Sequence, residues 1–238
     1  MSGRMTKALA VSALLCAAAA YPSAAMAQQR PAPPASPRPG AARPAPRPQT
    51  AIRGFGDFGA ERFAAGDTFD ATLGSPTGIF FGGGVEVVLP QRWFISARLS
   101  HFQKSGERVF VDSGEVFPLG IDMKVGITPI EVSVGYRFQP RGSTSNVIPY
   151  VGGGIGWHRY SETSDFADTG EDVSETFQGY HVLGGAEFRM GRIFAIAGEG
   201  QWTTIPNAFE GAASSAADAF GESNLGGIAF RVRFVIGR

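Results

Sequence analysis

The sequence is poor in the residues that stabilise small disulfide-bonded or helical proteins. It has one cysteine, Cys16, and only three lysines, against 33 glycines and 19 phenylalanines in 238 residues. A single cysteine excludes a disulfide framework within the chain. Few lysines together with many glycines and aromatic residues disfavour helices and favour short strands joined by tight turns. This composition excludes a helical bundle.

Acidic residues are missing from the first 50 positions, although the whole chain has 21 acidic and 21 basic residues. Six basic residues lie in this first part, which leaves 15 basic against 21 acidic residues for positions 51–238. An acidic main body lacks the basic surface that binds phosphate backbones. We therefore expect no nucleic-acid partner.

Residues 1–27 have the parts of a secretory signal peptide. Arg4 and Lys7 precede the apolar run ALAVSALLCAAAA, and the small residues of Ala-Met-Ala precede a predicted cleavage site before Gln28. The run is shorter than the roughly 20 apolar residues of a membrane-spanning helix. Cleavage would remove Cys16, so we expect the mature chain to have no thiol nucleophile and no thiolate metal ligand.

The next segment, residues 28–50, contains eight of the 16 prolines, four arginines and no large apolar residue. Such a segment has nothing to bury in a core and is predicted to be a disordered, polyproline-like linker. Two interpretations remain open. The linker is either a plain spacer or a basic tether that contacts an anionic partner such as cell-wall polymer or lipid headgroups.

From residue 51 onward, apolar and polar side chains alternate in segments of about ten residues that are separated by turn signals. In the segment IEVSVGYRF, for example, Ile130, Val132 and Val134 alternate with Glu131 and Ser133. Seven segments of this kind are clear. They predict strands that each have one apolar face.

The connections between these strands alternate in length. Brief links are expected at 90–92, 139–147 and 190–192, and longer loops near 64–77, 105–125, 161–175 and 204–223. An eighth strand fits at 52–63, although its facing is undecided. Short turns at one end, long loops at the other and an even number of strands are typical of outer-membrane barrels. The sequence therefore predicts an all-β fold over residues 51–238, an eight-stranded antiparallel up-and-down transmembrane β-barrel.

A soluble lipocalin-like barrel is the alternative, with the same apolar face pointing inward. The opposite face would then be a varied, Lys-rich outer surface, but it carries mainly Gly, Ala and Ser with single Glu or Arg residues. Small side chains suit the narrow lumen of a membrane barrel. Aromatic residues also cluster toward the strand ends, as interfacial girdles require. Both features favour the membrane barrel.

Three segments, PYVGGGIGW, IEVSVGYRF and GGIAFRVRF, resemble strands of a known family. They are similar to the small eight-stranded outer-membrane β-barrel proteins typified by OmpA, OmpX and OmpW. The resemblance covers residues 51–238 and implies the barrel architecture. It also implies an aromatic assembly signal in the last strand, read by the barrel-assembly machinery. Phe230 and Phe234 fit this signal, with residues 235–238 extending beyond them.

Eight charged residues share the face with the small side chains and would point into the lumen. They are Glu86, Arg98, Glu131, Arg137, Glu187, Glu199, Arg231 and Arg233. Because isolated charges in a narrow interior lose their hydration, we expect an ion-pair network between carboxylates and guanidinium groups. The network would be a plug that fixes strand register, or else a gate whose ion pairs rearrange to pass small solutes. The narrow interior of an eight-stranded barrel favours the plug.

Metal and enzyme sites have weak support. Residues 161–175 carry six acidic residues and no basic one, which would suit calcium, but they lack EF-hand spacing and are as expected for a solvated loop. The three histidines, His101, His158 and His181, lie on different strands without metal-ligand spacing. A lipid-hydrolysing site with His158 and Ser161 is disfavoured, since residues three apart on a strand point to opposite faces.

The sequence as a whole predicts a non-enzymatic outer-membrane protein with a structural or surface-interaction role and a lumen plugged by side chains. The alternatives are a narrow channel for small or apolar solutes and a soluble periplasmic lipocalin-like binder. The expected partners are outer-membrane lipid and lipopolysaccharide, the barrel-assembly machinery and, through the linker, the cell wall. We expect no cofactor and no metal.

Overall fold

The computed structural model describes residues 49–112, 115–139, 145–164, 173–209 and 216–237. The predicted signal peptide, nearly all of the predicted linker and the centre of the acidic segment lie outside these residues.

Eight antiparallel strands form a closed barrel in which each strand pairs with its neighbours in sequence and the last strand pairs with the first. The strands are β1 (Ala51–Phe63), β2 (Thr77–Val88), β3 (Trp93–Asp112), β4 (Glu115–Arg137), β5 (Val147–Ser164), β6 (Val173–Arg189), β7 (Phe194–Thr204) and β8 (Gly227–Gly237). The predicted eight-stranded antiparallel barrel is confirmed. The β2–β3, β4–β5 and β6–β7 connections lie at what we call the short-turn end, where β1 begins and β8 ends. The other four connections lie at the loop end.

Alternation along the strands divides the side chains into an inner and an outer set. In β8, Arg231 and Arg233 are buried, whereas Phe230, Val232 and Phe234 are exposed. Successive side chains of a strand point to opposite faces, so closure of the sheet sends one set into the interior and the other outward.

The first strand has the facing that the sequence left undecided. Arg53, Asp57 and Glu61 point into the interior and are buried, while Gly54 and Gly56 lie on the outer face. Because the outer face of β1 carries glycine where the other strands carry large apolar residues, its alternation is weak in the sequence.

One of the predicted long loops, 105–125, is largely strand, so this loop prediction is wrong. β3 and β4 continue as one hairpin, with Ser105 paired to Lys124, through the segment 105–125 that the sequence predicted as a loop. In the same way, β5 and β6 extend into both ends of the segment 161–175. Backbone groups along a hairpin satisfy one another's hydrogen bonds, so these segments continue as strands beyond the part that covers the core.

Each of the other two long connections contains a short helix that the sequence analysis missed. These helices are α1 (Gly66–Leu73) and α2 (Ala216–Phe220). The helix α1 buries Phe69 and ends at Gly74, whose φ of 68° lets its backbone N–H bond to the carbonyl of Asp70. Segments this short do not display a helical period. In the described part of the chain, no helix is long and apolar enough to cross a membrane.

The outer face of the barrel is apolar between two girdles of aromatic side chains. Near the short-turn end the girdle consists of Trp93, Tyr136, Phe138, Phe188 and Phe194, and toward the loop end of Phe81, Trp157, Tyr180 and Trp202. Between them lie exposed aliphatic residues such as Ile95 and Ile130. Beyond the second girdle the outer face becomes polar, with Gln103, Arg159 and Gln178 exposed.

Candidate functional site in the barrel interior

All eight charged residues of the predicted network lie inside the barrel, and each is at most 6% exposed. Four further polar residues join them. These are Arg53, Asp57 and Glu61 of β1 and Gln201 of β7. The contacts divide this network into three levels along the barrel.

The level nearest the short-turn end joins two carboxylates to the same two guanidinium groups. Arg53 bonds to Glu86, and its Nη1 lies 2.9 Å from Oε2 of Glu187. Arg137 reaches the same two carboxylates, at 3.3 Å to Glu86 and 2.7 Å to Glu187. Arg233 is a third basic neighbour of Glu86, at 3.5 Å. These contacts connect β1, β2, β4, β6 and β8 across the lumen.

The middle level is built around Arg98 and Glu199. Nε of Arg98 lies 2.9 Å from Oδ2 of Asp57, and its Nη2 lies 2.5 Å from Oε1 of Glu199. The other oxygen of Glu199 accepts hydrogen bonds from Arg233 at 2.9 Å and from the Tyr150 hydroxyl at 3.0 Å. Both oxygens of Glu199 are therefore satisfied by charged or hydroxyl donors.

The third level contains Glu131, whose Oε1 accepts a hydrogen bond from Nε2 of Gln201 at 2.6 Å. Its Oε2 lies 3.5 Å from Arg98 and 3.9 Å from Arg231. Gln201 accepts hydrogen bonds from both of these arginines through Oε1. Arg231 also lies 3.8 Å from Glu61. A single amide thus serves as donor to a carboxylate and as acceptor from two guanidinium groups.

Two histidines lie at this level. Nε2 of His181 is 2.8 Å from the Ser133 hydroxyl, while its Nδ1 is 3.7 Å from Glu131, beyond hydrogen-bond distance. His158 is buried in the interior. Ser161, considered above as a partner of His158, instead bonds to a backbone carbonyl of β4.

Toward the loop end the interior becomes apolar, and we call this part the apolar plug. Its buried residues include Phe63, Phe69, Leu73, Phe80, Phe102, Met123, Val125, Ile127, Ile205 and Leu225. Phe63 stacks on Phe69 of α1 with ring centroids 4.1 Å apart, and its centroid lies 5.5 Å from that of Phe102. The helix α1 is therefore part of the barrel's own core at its mouth.

Two of the loops at the mouth are joined through Glu222. Its carboxylate accepts hydrogen bonds from the backbone N–H groups of Asp67 and Thr68, at 3.1 and 2.9 Å, and from the Thr68 hydroxyl at 2.6 Å. A carboxylate at this place satisfies free N–H groups of the first helical turn and complements the helix dipole.

The four glutamates of the network, Glu86, Glu131, Glu187 and Glu199, each contact at least two basic side chains. Removing charges from water costs several kcal/mol for each ion, and only multiple pairing offsets this cost. Loss of one partner leaves the other charges uncompensated. The network is suited to holding the strands in one register.

Sequence reasoning missed the β1 members of the network because the facing of β1 was undecided. Arg53, Asp57 and Glu61 recur every four residues, which places them on one side of a strand, and this spacing was an available signal. Gln201 lies two residues from Glu199 on the same face of β7, but as an uncharged residue it was not among the predicted site residues.

Metal ligands do not cluster in the residues that the structure describes. No group of three or more His, Cys, Asp or Glu side chains is arranged there to hold a metal ion. Positions 165–172 of the acidic segment, considered above for calcium, lie outside the described residues.

Comparisons with known proteins gave matches in structure only. No protein-family model matches the chain, and no curated protein matches it. Neisserial surface protein A is 13% identical with a TM-score of 0.48, over 79% of this chain and 95% of that one. The N-terminal β-barrel domain of Pseudomonas aeruginosa OprF is 12% identical with a TM-score of 0.44, over 79% and 97%. A major outer membrane protein from Thermus thermophilus is 10% identical with a TM-score of 0.45, over 78% and 99%.

Proposed function

We propose that this chain is an outer-membrane β-barrel protein with a structural or surface-interaction role, whose lumen is closed by its own side chains. The observation that carries the proposal is the distribution of polarity, with a continuous exposed apolar belt outside and an ionic network inside. A barrel in water has the reverse arrangement.

The apolar belt has the features of a lipid-facing surface. Val85, Ile95 and Phe230 are 56%, 46% and 70% exposed, and the belt to which they belong lies between the two aromatic girdles. Exposed apolar area of this extent would drive aggregation of a soluble monomer, whereas lipid tails cover it at no such cost. The girdles are where the ring systems of Trp and Tyr meet the headgroups.

Two successive barriers in the lumen support a closed barrel. The ionic network fills the part nearer the short-turn end, and the apolar plug with α1 fills the part nearer the loop end. A hydrated ion would have to break buried ion pairs and then cross a dry aromatic layer. Both steps are costly in free energy.

The loop end supports a surface-interaction role. The β3–β4 hairpin extends past the apolar belt and carries exposed apolar side chains near its tip, including Phe110, Phe117 and Leu119. Long connections at this end are the part of such barrels that faces outward from the cell. These residues are available to a partner at the cell surface.

A narrow channel for small or apolar solutes is the second candidate, and the apolar plug is the observation that favours passage of apolar ones. Movement of α1 would uncover an aromatic-lined entrance at the loop end. The ionic network below the plug opposes complete passage of such a solute.

The lipocalin-like binder has less support, because its interior would have to accommodate buried ion pairs instead of a ligand.

A catalytic role has little support in the interior. Ser133, His181 and Glu131 resemble a nucleophile, base and acid in order, but all three are at most 5% exposed. The His181–Glu131 separation of 3.7 Å leaves the ring without the hydrogen bond that orients a catalytic base. We propose that these residues are structural.

The remaining partners belong to the same proposal. An outer-membrane location implies a signal peptide over residues 1–27, contact with lipid and lipopolysaccharide, and insertion by the barrel-assembly machinery. The four arginines of residues 28–50 are suited to an anionic cell-wall polymer.

Cell fractionation followed by gel migration with and without boiling tests the location. We expect the protein in the outer membrane and a band that shifts on heating, since closed barrels resist detergent until they are boiled. Free periplasmic protein whose band does not shift on heating would refute the proposal. Reconstitution in planar bilayers then separates a closed barrel from a channel that admits small ions. A closed barrel gives no steady conductance, whereas a conductance that changes in Arg98→Ala or Glu131→Ala would favour the channel.

A further inference from the structure

Charge on the outside of the barrel is segregated between its two ends. The exposed acidic side chains of the described residues, among them Asp67, Asp70, Asp122 and Glu175, lie at the loop end. At the short-turn end, none of the described acidic residues is exposed, because the two nearest glutamates are buried in the ionic network. The surface of that end is basic.

A cleft of about 680 Å³ opens at this basic end, between described residues at the end of β4 and the start of β5 on one side and the β6–β7 turn on the other. One wall contains Gln139, Ser145 and Asn146, and the other contains Phe188, Arg189 and Met190. The backbone N–H of Arg189 donates to the carbonyl of Asn146 at 2.8 Å, which fixes the two walls to each other.

The Arg189 guanidinium lies at the edge of the ionic network, where it is the most exposed of the basic partners of Glu187. Its Nε lies 3.5 Å from Glu187, and its side chain is 40% exposed. Glu187 already has closer basic partners, Arg53 at 2.9 Å and Arg137 at 2.7 Å. Two buried arginines are thus sufficient for Glu187, and Arg189 adds net positive charge at the mouth of the cleft. Arg192, in the adjoining turn, is exposed.

The cleft lies at the depth of the aromatic girdle of the short-turn end. Phe188, one of its walls, is a member of that girdle and is 49% exposed, and Met190 beside it is 54% exposed. A ligand in the cleft would therefore meet guanidinium and amide groups on one side and lipid-facing apolar side chains on the other. A phospholipid has the matching combination of an anionic headgroup and acyl chains.

We propose that this cleft binds the phosphate headgroup of an anionic phospholipid of the periplasmic leaflet. Arg189 and Arg192 supply the charge, the amides of Gln139 and Asn146 supply hydrogen-bond donors, and Phe188 contacts the first acyl methylenes. The inference rests on the proposed function, since it requires the short-turn end to face the periplasm.

Native mass spectrometry of the full-length protein, released from detergent in the presence of phosphatidylglycerol or phosphatidylcholine, tests the site. We expect one retained phosphatidylglycerol for each barrel and weaker retention of phosphatidylcholine. The double variant Arg189→Gln/Arg192→Gln should lower the preference by about fivefold for each arginine. Arg159→Gln removes the same charge at the loop end and should leave the preference unchanged.

Several results would overturn the site. These are equal retention of the two lipids, loss of the preference in Arg159→Gln as well, or complete displacement by millimolar inorganic phosphate, which would indicate a free-anion site. Binding to purified cell-wall sacculi that is lost in the double variant while lipid retention is unchanged would assign the basic end to the cell wall instead. If the double variant does not give a heat-shifted band, Arg192→Gln alone repeats the test at an exposed turn residue. Failure of the outer-membrane proposal itself is seen separately, by fractionation of the unmodified protein.

Discussion

The carboxylate of Glu222 accepts a hydrogen bond from the backbone N–H of Thr68 at 2.9 Å, across 154 positions of the sequence. The helix α1 has no side-chain cap of its own at its N-terminus, and a helix of two turns is unstable in isolation. Its place at the barrel mouth therefore depends on Glu222 from the β7–β8 connection and on burial of Phe69 in the apolar plug. Closure of the mouth requires both loops together.

Replacement of Glu222 by Ala should loosen α1 without opening the barrel wall. Loss of a cap costs about 1–2 kcal/mol, so hydrogen exchange of the α1 amides should accelerate by about tenfold. Hydrogen–deuterium exchange with mass spectrometry measures this, and Glu175→Ala, an exposed acid at the same end, is the matched control. Unchanged exchange in α1 would show that Phe69 alone holds the helix.

Replacement of Glu199 by Gln should strongly destabilise the barrel. The change leaves Arg98 and Arg233 without a carboxylate that each contacts within 3 Å, and breaking a buried ion pair costs about 3–5 kcal/mol. Urea unfolding of the protein in lipid vesicles, followed by tryptophan fluorescence, gives the change in free energy. Glu162→Gln removes a carboxylate from a half-exposed pair with Arg108 at 3.8 Å and should cost less than about 1 kcal/mol. Equal losses in the two variants would contradict a special role of the interior network.

Two glycines of the barrel wall should differ sharply in their tolerance of alanine. A Cβ at Gly154 would collide with the Val132 carbonyl, and it would lie 2.8 Å from the Ser133 Cα and 2.9 Å from Nε2 of His181. A Cβ at Gly198, in contrast, would have no atom within 4 Å. Gly154→Ala should therefore reduce the yield of heat-shifted protein, because the obstructing atoms belong to rigid strands. Gly198→Ala should fold as well as the unmodified chain. Equal amounts of heat-shifted protein from the two variants would show that the strands around Gly154 can move to accommodate a methyl group.

Much of the barrel was predictable because its strands are amphipathic over most of their length. Residues such as Phe230 and Val232 differ clearly from Arg231 and Arg233, and the period of two fixes their faces. Alternation does not identify the outer face where the two faces of a strand have a similar mixture of apolar and polar residues. In β1, Phe55 points inward and Gly54 and Gly56 point outward, so the apolar residues of this strand do not all lie on one face.

The apolar plug was not predictable from alternation alone. Phe102 and Ile127 point inward, but in sequence they are indistinguishable from lipid-facing residues, and part of the plug lies in segments that looked like loops. Its partners come from α1 and from the β7–β8 connection, so it exists only once distant segments meet. The Glu222 cap was hidden for the same reason, since capping patterns are recognised within a few residues of a helix start.

Closure of the barrel between β1 and β8 can be tested with cysteine pairs, because the mature chain is predicted to contain no cysteine of its own. Ala60 and Phe230 are directly paired across this seam, where facing Cα atoms lie about 4.5–5.5 Å apart, within the range for a disulfide. Ala60→Cys with Phe230→Cys should therefore crosslink nearly completely on mild oxidation, giving a product that migrates differently on a non-reducing gel after boiling. Ala60→Cys with Phe234→Cys is the matched control, since four residues along a strand add about 13 Å. Crosslinking of the control at the expense of the direct pair would mean that the two strands meet in another register, and no crosslinking in either would mean that the seam is open.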